Sequence, residues 1–153
     1  MVSRSSYLSF HFEPALCYRG AYPDPCDWRT RLPRTTIVLL ISGDFVTLDE
    51  ARGLVLYRLV QEALTNIARH SDAKRATIRL RAEGDRIKLT IADNGKGLGP
   101  KGVQARPGSM GLSGMRARAR SAGGELAIRS EPGAGVTIEV SAPRLKQPTR
   151  ELV

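Results

Sequence analysis

Apolar and polar residues alternate along this chain in three distinct rhythms, and each predicts a different element. Leu56, Val60, Ala63 and Ile67 recur at three- and four-residue spacing, with Leu59 and Leu64 beside them. That is the stripe of an amphipathic helix. Thr47 stands three residues before Glu50, a capping-box spacing that starts this helix near Leu48 and carries it about six turns to His70. A period of two follows: Ala76, Ile78, Leu80 and Ala82 alternate with Arg75, Thr77, Arg79, Arg81 and Glu83. Gly84-Asp85 makes a two-residue turn, and Ile87, Leu89 and Ile91 then alternate with Lys88 and Thr90, so an antiparallel hairpin with one apolar and one charged face is expected. The run from Thr35 to Ile41, β-branched and apolar, reads as a buried strand.

Further on, the pattern predicts a short helix from Gly111 to about Ala122, ended by Gly123-Gly124. A second hairpin turns at Glu131-Pro132-Gly133-Ala134 and aims Leu126, Ile128, Val136, Ile138 and Val140 at the core. Strand, long helix, two strands, short helix and two strands make an α+β fold: a two-layer α/β sandwich whose mixed, mainly antiparallel sheet carries helices on one face. Residues 35–143 form this domain. Residues 1–34, interrupted by Pro14, Pro23, Pro25 and Pro33, read as a poorly patterned N-terminal extension, and 144–153 as a polar tail that frays.

Composition narrows the class. The 153 residues, 41% hydrophobic and 25% charged, suffice for one soluble domain with its own core. The longest apolar run, Ile37 to Ile41, is far below the roughly 18 residues of a membrane helix, and no secretory signal is evident. Cys17 and Cys26 lack the number and partners for a disulfide framework or a zinc site, which suggests reduced thiols in a cytoplasmic chain. The net charge of +9 calls for a polyanionic partner: nucleic acid, a membrane surface or a nucleotide. The basic stripe Arg75, Arg79, Arg81 and Lys88 reads first as a solvated sheet face and second as a nucleic-acid surface, and it lacks the interleaved aromatics of single-strand binders.

Three stretches carry candidate chemistry. Glu62 and Asn66, four residues apart, share one helix face, which Arg69 and His70 extend by a turn. This is a solvated face or a working one. Between Asn94 and Gly124 there is no acidic residue, while Lys96, Lys101, Arg106, Arg116, Arg118 and Arg120 join nine of the 15 glycines. Backbone amides freed by glycine, with a helix N-terminus near Gly111, suit a polyphosphate; a mobile surface loop is the alternative. Gly97, Gly99 and Gly102 match the dinucleotide fingerprint in spacing, but Pro100, Gly102 and Pro107 forbid the helix it must open. No Walker-type phosphate loop occurs. Asp93, at a strand end before Asn94-Gly95, either sets a turn or presents a carboxylate to an exocyclic amine such as that of adenine.

Glu62-x-x-x-Asn66, DNGKG from Asp93, GSMGLSGMRARA from Gly108 and GAGV from Gly133 follow one another in an order and spacing that resemble the ATP-binding catalytic domain of sensor histidine kinases, within the superfamily of gyrase, mismatch-repair and heat-shock chaperone ATPases. YRLVQEALTNIARHS and GLSGMRARA look most like its nitrate-sensor and desaturase-sensor branch. The resemblance implies a Bergerat-type ATP-binding fold, ATP and Mg²⁺ as cofactors, and protein histidine kinase activity. By position it implies that Asn66 ligates Mg²⁺, that Glu62 holds a metal-bound water or acts as a base, and that Arg69 and His70 lie near the phosphates. Asp93 would take the adenine amine, with Gly95 and Gly97 giving room; Gly108, Gly111, Leu112 and Gly114 would shape the phosphate-facing lid; Gly133, Gly135 and Thr137 would stand behind adenine. Three departures stand out. Val136 occupies the position of the family's threonine, so Thr137 comes one residue late and should face the other way; Ala117 replaces an acid; and neither His11 nor His70 sits in a dimerisation helix. The phosphoacceptor histidine is therefore expected in trans or on a missing segment, with a dimerisation domain and a response regulator as partners and no contact with nucleic acid or membrane from this chain itself. A stand-alone switch or serine kinase of the anti-sigma-factor type, or a nucleotide-binding module without kinase activity, is the alternative.

Overall fold

A carboxylate opens the long helix. Asp49 takes an extended backbone conformation, and its side chain accepts a hydrogen bond from the Arg52 amide at 2.9 Å. It thereby satisfies one of the donors that a helix start leaves free. Asp49 is thus the cap, two residues beyond the expected Thr47. In the computed structural model, which describes residues 6–10 and 110 by backbone alone and 35–45, 48–99 and 111–144 in full, Thr47, Cys17, Cys26, Gly108, Pro107 and residues 145–153 lie outside the described set.

The elements in order are β1 (Ser6–Phe10), β2 (Thr36–Ser42), α1 (Glu50–Asn66), β3 (Arg75–Glu83), β4 (Arg86–Asp93), α2 (Met110–Ser121), β5 (Glu125–Glu131) and β6 (Gly135–Pro143). The described strands form one six-stranded sheet in the order β1-β2-β3-β4-β6-β5. Only β2 and β3 run parallel, because α1 lies between them and returns the chain to the same edge. The expectation of an α+β sandwich with a mainly antiparallel sheet holds.

The core lies between the sheet and the two helices. Leu59 is fully buried with Leu56, Ala63 and Ile67 around it, so the stripe of α1 centres on Leu59, and Val60 and Leu64 form its margins. From the sheet come Ala76, Ile78, Ile87, Leu89, Ile91, Ile138 and Val140, and from α2 Met115 and Ala119. The face that neither described helix covers, here the helix-free face, carries the exposed Arg75, Arg79, Arg81 and Lys88. Two of these are engaged: Arg81 and Lys88 both pair with Glu83. The Lys88 hydrogen bond leads the causes that hold the Glu83 carboxyl below its ordinary range.

Three details at the edges differ from what the sequence led us to expect. Residues 1–34 show no sequence period, yet Ser6–Phe10 adds an antiparallel edge strand to β2. Five residues pair through their backbones, and this needs no alternation. The β2 run is only half-buried, with Ile37 and Leu39 on the core and Val38 and Leu40 on the face that no helix covers. At the far end of the hairpin Arg144 does not fray: its amide donates to Asp85 O (2.8 Å) and its guanidinium to Gly84 O (2.9 Å) and Asp44 O (2.6 Å).

Candidate functional site

The last turn of the long helix departs from α geometry. Over Ile67–Ser71 the hydrogen bonding widens to the five-residue spacing of a π turn, a device often found at functional sites. Buried Ser71 closes it: its hydroxyl donates to Ile67 O (2.8 Å) and accepts from the Ala73 amide (3.1 Å). Asp72, with φ at 54°, then leads into β3. Asn66 directly precedes this widened turn and Glu62 stands one turn earlier, both half-exposed. Arg69 and His70 lie on the widened turn and are exposed, and no Glu62–Arg69 ion pair forms among the described residues.

The glycine-rich loop is stitched to that helix end. Lys96 donates its amide to Ser71 O at 2.8 Å, and its ammonium reaches Asp72 at 2.9 Å. Asn94 serves the scaffold: its Oδ1 accepts the amides of Lys74 (3.0 Å) and Arg75 (2.8 Å), and its own amide donates to Arg75 O (3.1 Å). Gly95 is buried where a Cβ would overlap Ser71 O, so no other residue fits. On the other side the loop lies against the β5–β6 turn. The Leu98 amide donates to Ser130 Oγ (2.8 Å), the Gly133 amide donates to Lys96 O (2.9 Å), and a Cβ on Gly97 would strike Glu131 O.

Asp93 ends β4 at the centre of this arrangement. Its Oδ1 accepts the Gly95 amide at 2.8 Å, and the Val136 amide also donates to the carboxyl. Burial pushes the Asp93 carboxyl above its ordinary range, and these two N–H bonds offset only part of that. Gly135 lies against the Asp93 carbonyl with φ at 83°, closing the space behind it. Thr137 is not brought here. Its register with Ala92 and Arg129 sets it on the helix-free face, whereas Asp93 shares the parity of core residue Ile91.

The start of α2 completes the site. A Cβ on Gly111 would lie 2.7 Å from Glu62 Oε1 and 3.7 Å from both amide atoms of Asn66. The first turn of α2, the positive end of its dipole, therefore sits over an acid and an amide oxygen. Gly114 follows one turn later beside Arg118, and Leu112 packs partly buried against the core, so it supports the helix from beneath. The structure thus unites Glu62, Asn66 and Gly111, and separately Asp93, Gly95, Gly97, Gly133 and Gly135. The sequence reading missed Asn94, Ser71 and Ser130; their signal was small polar residues beside glycine turns, too common to single out.

Fold and site together define an α+β domain that presents an oxygen-donor pair to the positive end of a helix. Residues 51–146 match the family described as histidine kinase-, DNA gyrase B-, and HSP90-like ATPase, and the chain belongs to that family. Among its relatives, sensor histidine kinase LiaS of Bacillus subtilis (strain 168) is 42% identical over 88 residues, which cover 58% of this chain and 24% of LiaS. Sensor protein VraS of Staphylococcus aureus (strain COL) is 40% identical over 92 residues, 60% of this chain and 26% of VraS. The chain thus spans about a quarter of the length of these curated relatives. In fold it is similar to the ATP-binding domain of PrrB from Mycobacterium tuberculosis, with a TM-score of 0.56 and 21% identity over 80% of this chain and 90% of that one.

Proposed function

We propose that this chain is the Mg-ATP-binding catalytic module of a two-component sensor histidine kinase, delivering the γ-phosphate to a histidine on another segment or chain. The observation that carries this reading is the meeting of Gly111 with Glu62 and Asn66. The triphosphate would lie between that pair and the first amides of α2, and adenine would lie against Asp93 with its exocyclic amine donating to the carboxylate. Gly95, Gly97, Gly133 and Gly135 keep the wall around that carboxylate thin enough for a flat base. Arg69, exposed at the helix end, adds positive charge on the phosphate side, and His70 stands exposed beside it.

The residues fit a magnesium ion held largely by the nucleotide. Asn66 and Glu62 offer hard oxygen donors, and no group of three or more acidic, histidine or cysteine side chains makes a protein-only cage among the described residues. Mg²⁺ bound by Asn66 would neutralise phosphate charge as the phosphoryl group leaves. Glu62 would orient a water of its shell or accept the proton of the incoming nucleophile. Catalysis would consist of placement and charge neutralisation, with the acceptor histidine and a response regulator supplied as partners. The helix wording YRLVQEALTNIARH supports the nitrate-sensor and desaturase-sensor branch, and a cytoplasmic location follows from ATP use.

Calorimetric titration with MgATP tests the reading. Wild type should bind, chelation of magnesium should weaken binding by at least about tenfold, and Asn66→Ala should abolish that dependence. Equal affinity in wild type, Asn66→Ala and Asp93→Ala would rule the site out.

A further inference from the structure

The far end of α2 is held as deliberately as its start. Gly123 and Gly124 close the helix with paired backbone bonds: the Gly124 amide donates to Ala119 O and the Gly123 amide to Arg120 O, both at 2.9 Å, with Gly123 at φ 71°. That motif leaves the carbonyl of the cap residue, Ala122, without a partner from α2. Arg52 supplies one. Its Nε donates to Ala122 O at 3.2 Å, and its guanidinium is clamped by the Asp49 carboxylate at the start of α1. The Arg52 side chain is only 13% exposed, so this contact is largely screened from water.

We propose that Arg52 is a positioning residue for the triphosphate. It sets the axial register of α2 on α1 and so decides where the α2 N-terminus stands over Glu62 and Asn66. The inference rests on the nucleotide reading given above.

Spacing supports it. From Arg52 to Glu62 along α1 is ten residues, about 15 Å, and from Gly111 to Ala122 along α2 is eleven, about 16 Å. The two helices run antiparallel, so a cation meets the negative end of α2 and a carboxylate lies at its positive end, and both charges sit on one partner helix. Apolar packing alone specifies this register weakly. Beyond Met115 and the half-buried Leu112, the residues that α2 turns inward are Ala119 and Ala122, and such short side chains make shallow ridges. A directional bond at one end therefore controls a placement some three turns away. Lysine cannot replace it fully, since only the planar guanidinium reaches Asp49 and Ala122 O together.

Titrating the full 153-residue chain separately with MgATP and with adenosine tests this. In Arg52→Ala, MgATP affinity should fall at least about tenfold, as expected when reacting groups shift by about an ångström, while adenosine, which touches only the Asp93 side, should bind within about twofold of wild type. Arg52→Lys should fall between the two for MgATP. Arg58→Ala, on the exposed face of α1 and bonded among the described residues to Gln61, should match wild type. Equal losses for adenosine and MgATP in both Arg52 variants would overturn the positioning role and leave a purely structural one. Unchanged MgATP affinity in Arg52→Ala, with wild type binding normally, would overturn the inference alone. Failure of wild type to bind MgATP would overturn the nucleotide reading and this inference with it.

Discussion

Asp93 is under two opposed demands. The proposed base-binding role requires the ionised carboxylate, yet burial favours the neutral form, and the Gly95 and Val136 amides offset this only in part. The sign is therefore definite. Because the folded carboxyl is raised above its unfolded value, it contributes stability that is present below the unfolded value and is lost as pH rises through the folded one. Nucleotide affinity of the proposed site runs the other way and should decline as pH falls through the raised Asp93 range. Measuring MgATP affinity and the urea midpoint side by side from neutral pH down into the ordinary aspartate range should show the first falling with acid and the site's contribution to the second rising. Asp93→Asn should remove both dependences and weaken binding by about 1.5–3 kcal/mol, the range for a hydrogen bond to a charged group. A pH profile identical in Asp93→Asn and wild type would assign the titration elsewhere.

At the scale of elements, the α1–α2 pair sets the geometry at the proposed phosphate side, and Gly111 lies close against Glu62 there. Alanine there would strengthen the helix by up to about 1 kcal/mol on propensity grounds. It would also place a methyl 2.7 Å from Glu62 Oε1, where the flexible carboxylate end must swing aside. Gly111→Ala should therefore keep or slightly raise the thermal midpoint while MgATP affinity drops about tenfold. Loss of stability without loss of affinity would mean that the glycine serves backbone conformation and not clearance for Glu62. The opposite balance holds at Gly135, where positive φ and contact with the Asp93 carbonyl make alanine a folding defect first.

For the molecule as a whole, helices cover one face of the sheet, so a single core carries the stability. Leu59, fully buried at the centre of the α1 stripe, is its keystone. Leu59→Ala should cost about 2–5 kcal/mol and lower the urea midpoint without changing the slope, because the cavity cannot collapse between a helix and a sheet that are both held in place. A loss under about 1 kcal/mol would show that the two layers can close up on the gap. Charge is distributed by face as well. Arg81 and Lys88 close on Glu83 and Arg129 on Glu139, whereas α2 exposes Arg116, Arg118 and Arg120 with no acid in its length.

Much of this was legible in the residues. Period-two alternation set which faces of β3 to β6 are buried, Gly84-Asp85 and Gly133 placed the turns, Gly123-Gly124 ended α2, and the four-residue spacing aligned Glu62 with Asn66. These are properties of one segment, set by local sterics and periodicity, and they need no partner to be read. The placement of β6 between β4 and β5, the parallel junction of β2 with β3, the edge strand in an unpatterned stretch, the turn of Asn94 toward β3 and the grip of Arg52 on Ala122 belong to the tertiary structure alone. Each is a choice between segments tens of residues apart whose patterns would suit several neighbours. Only the joint packing of one core, with every backbone donor satisfied, selects among them.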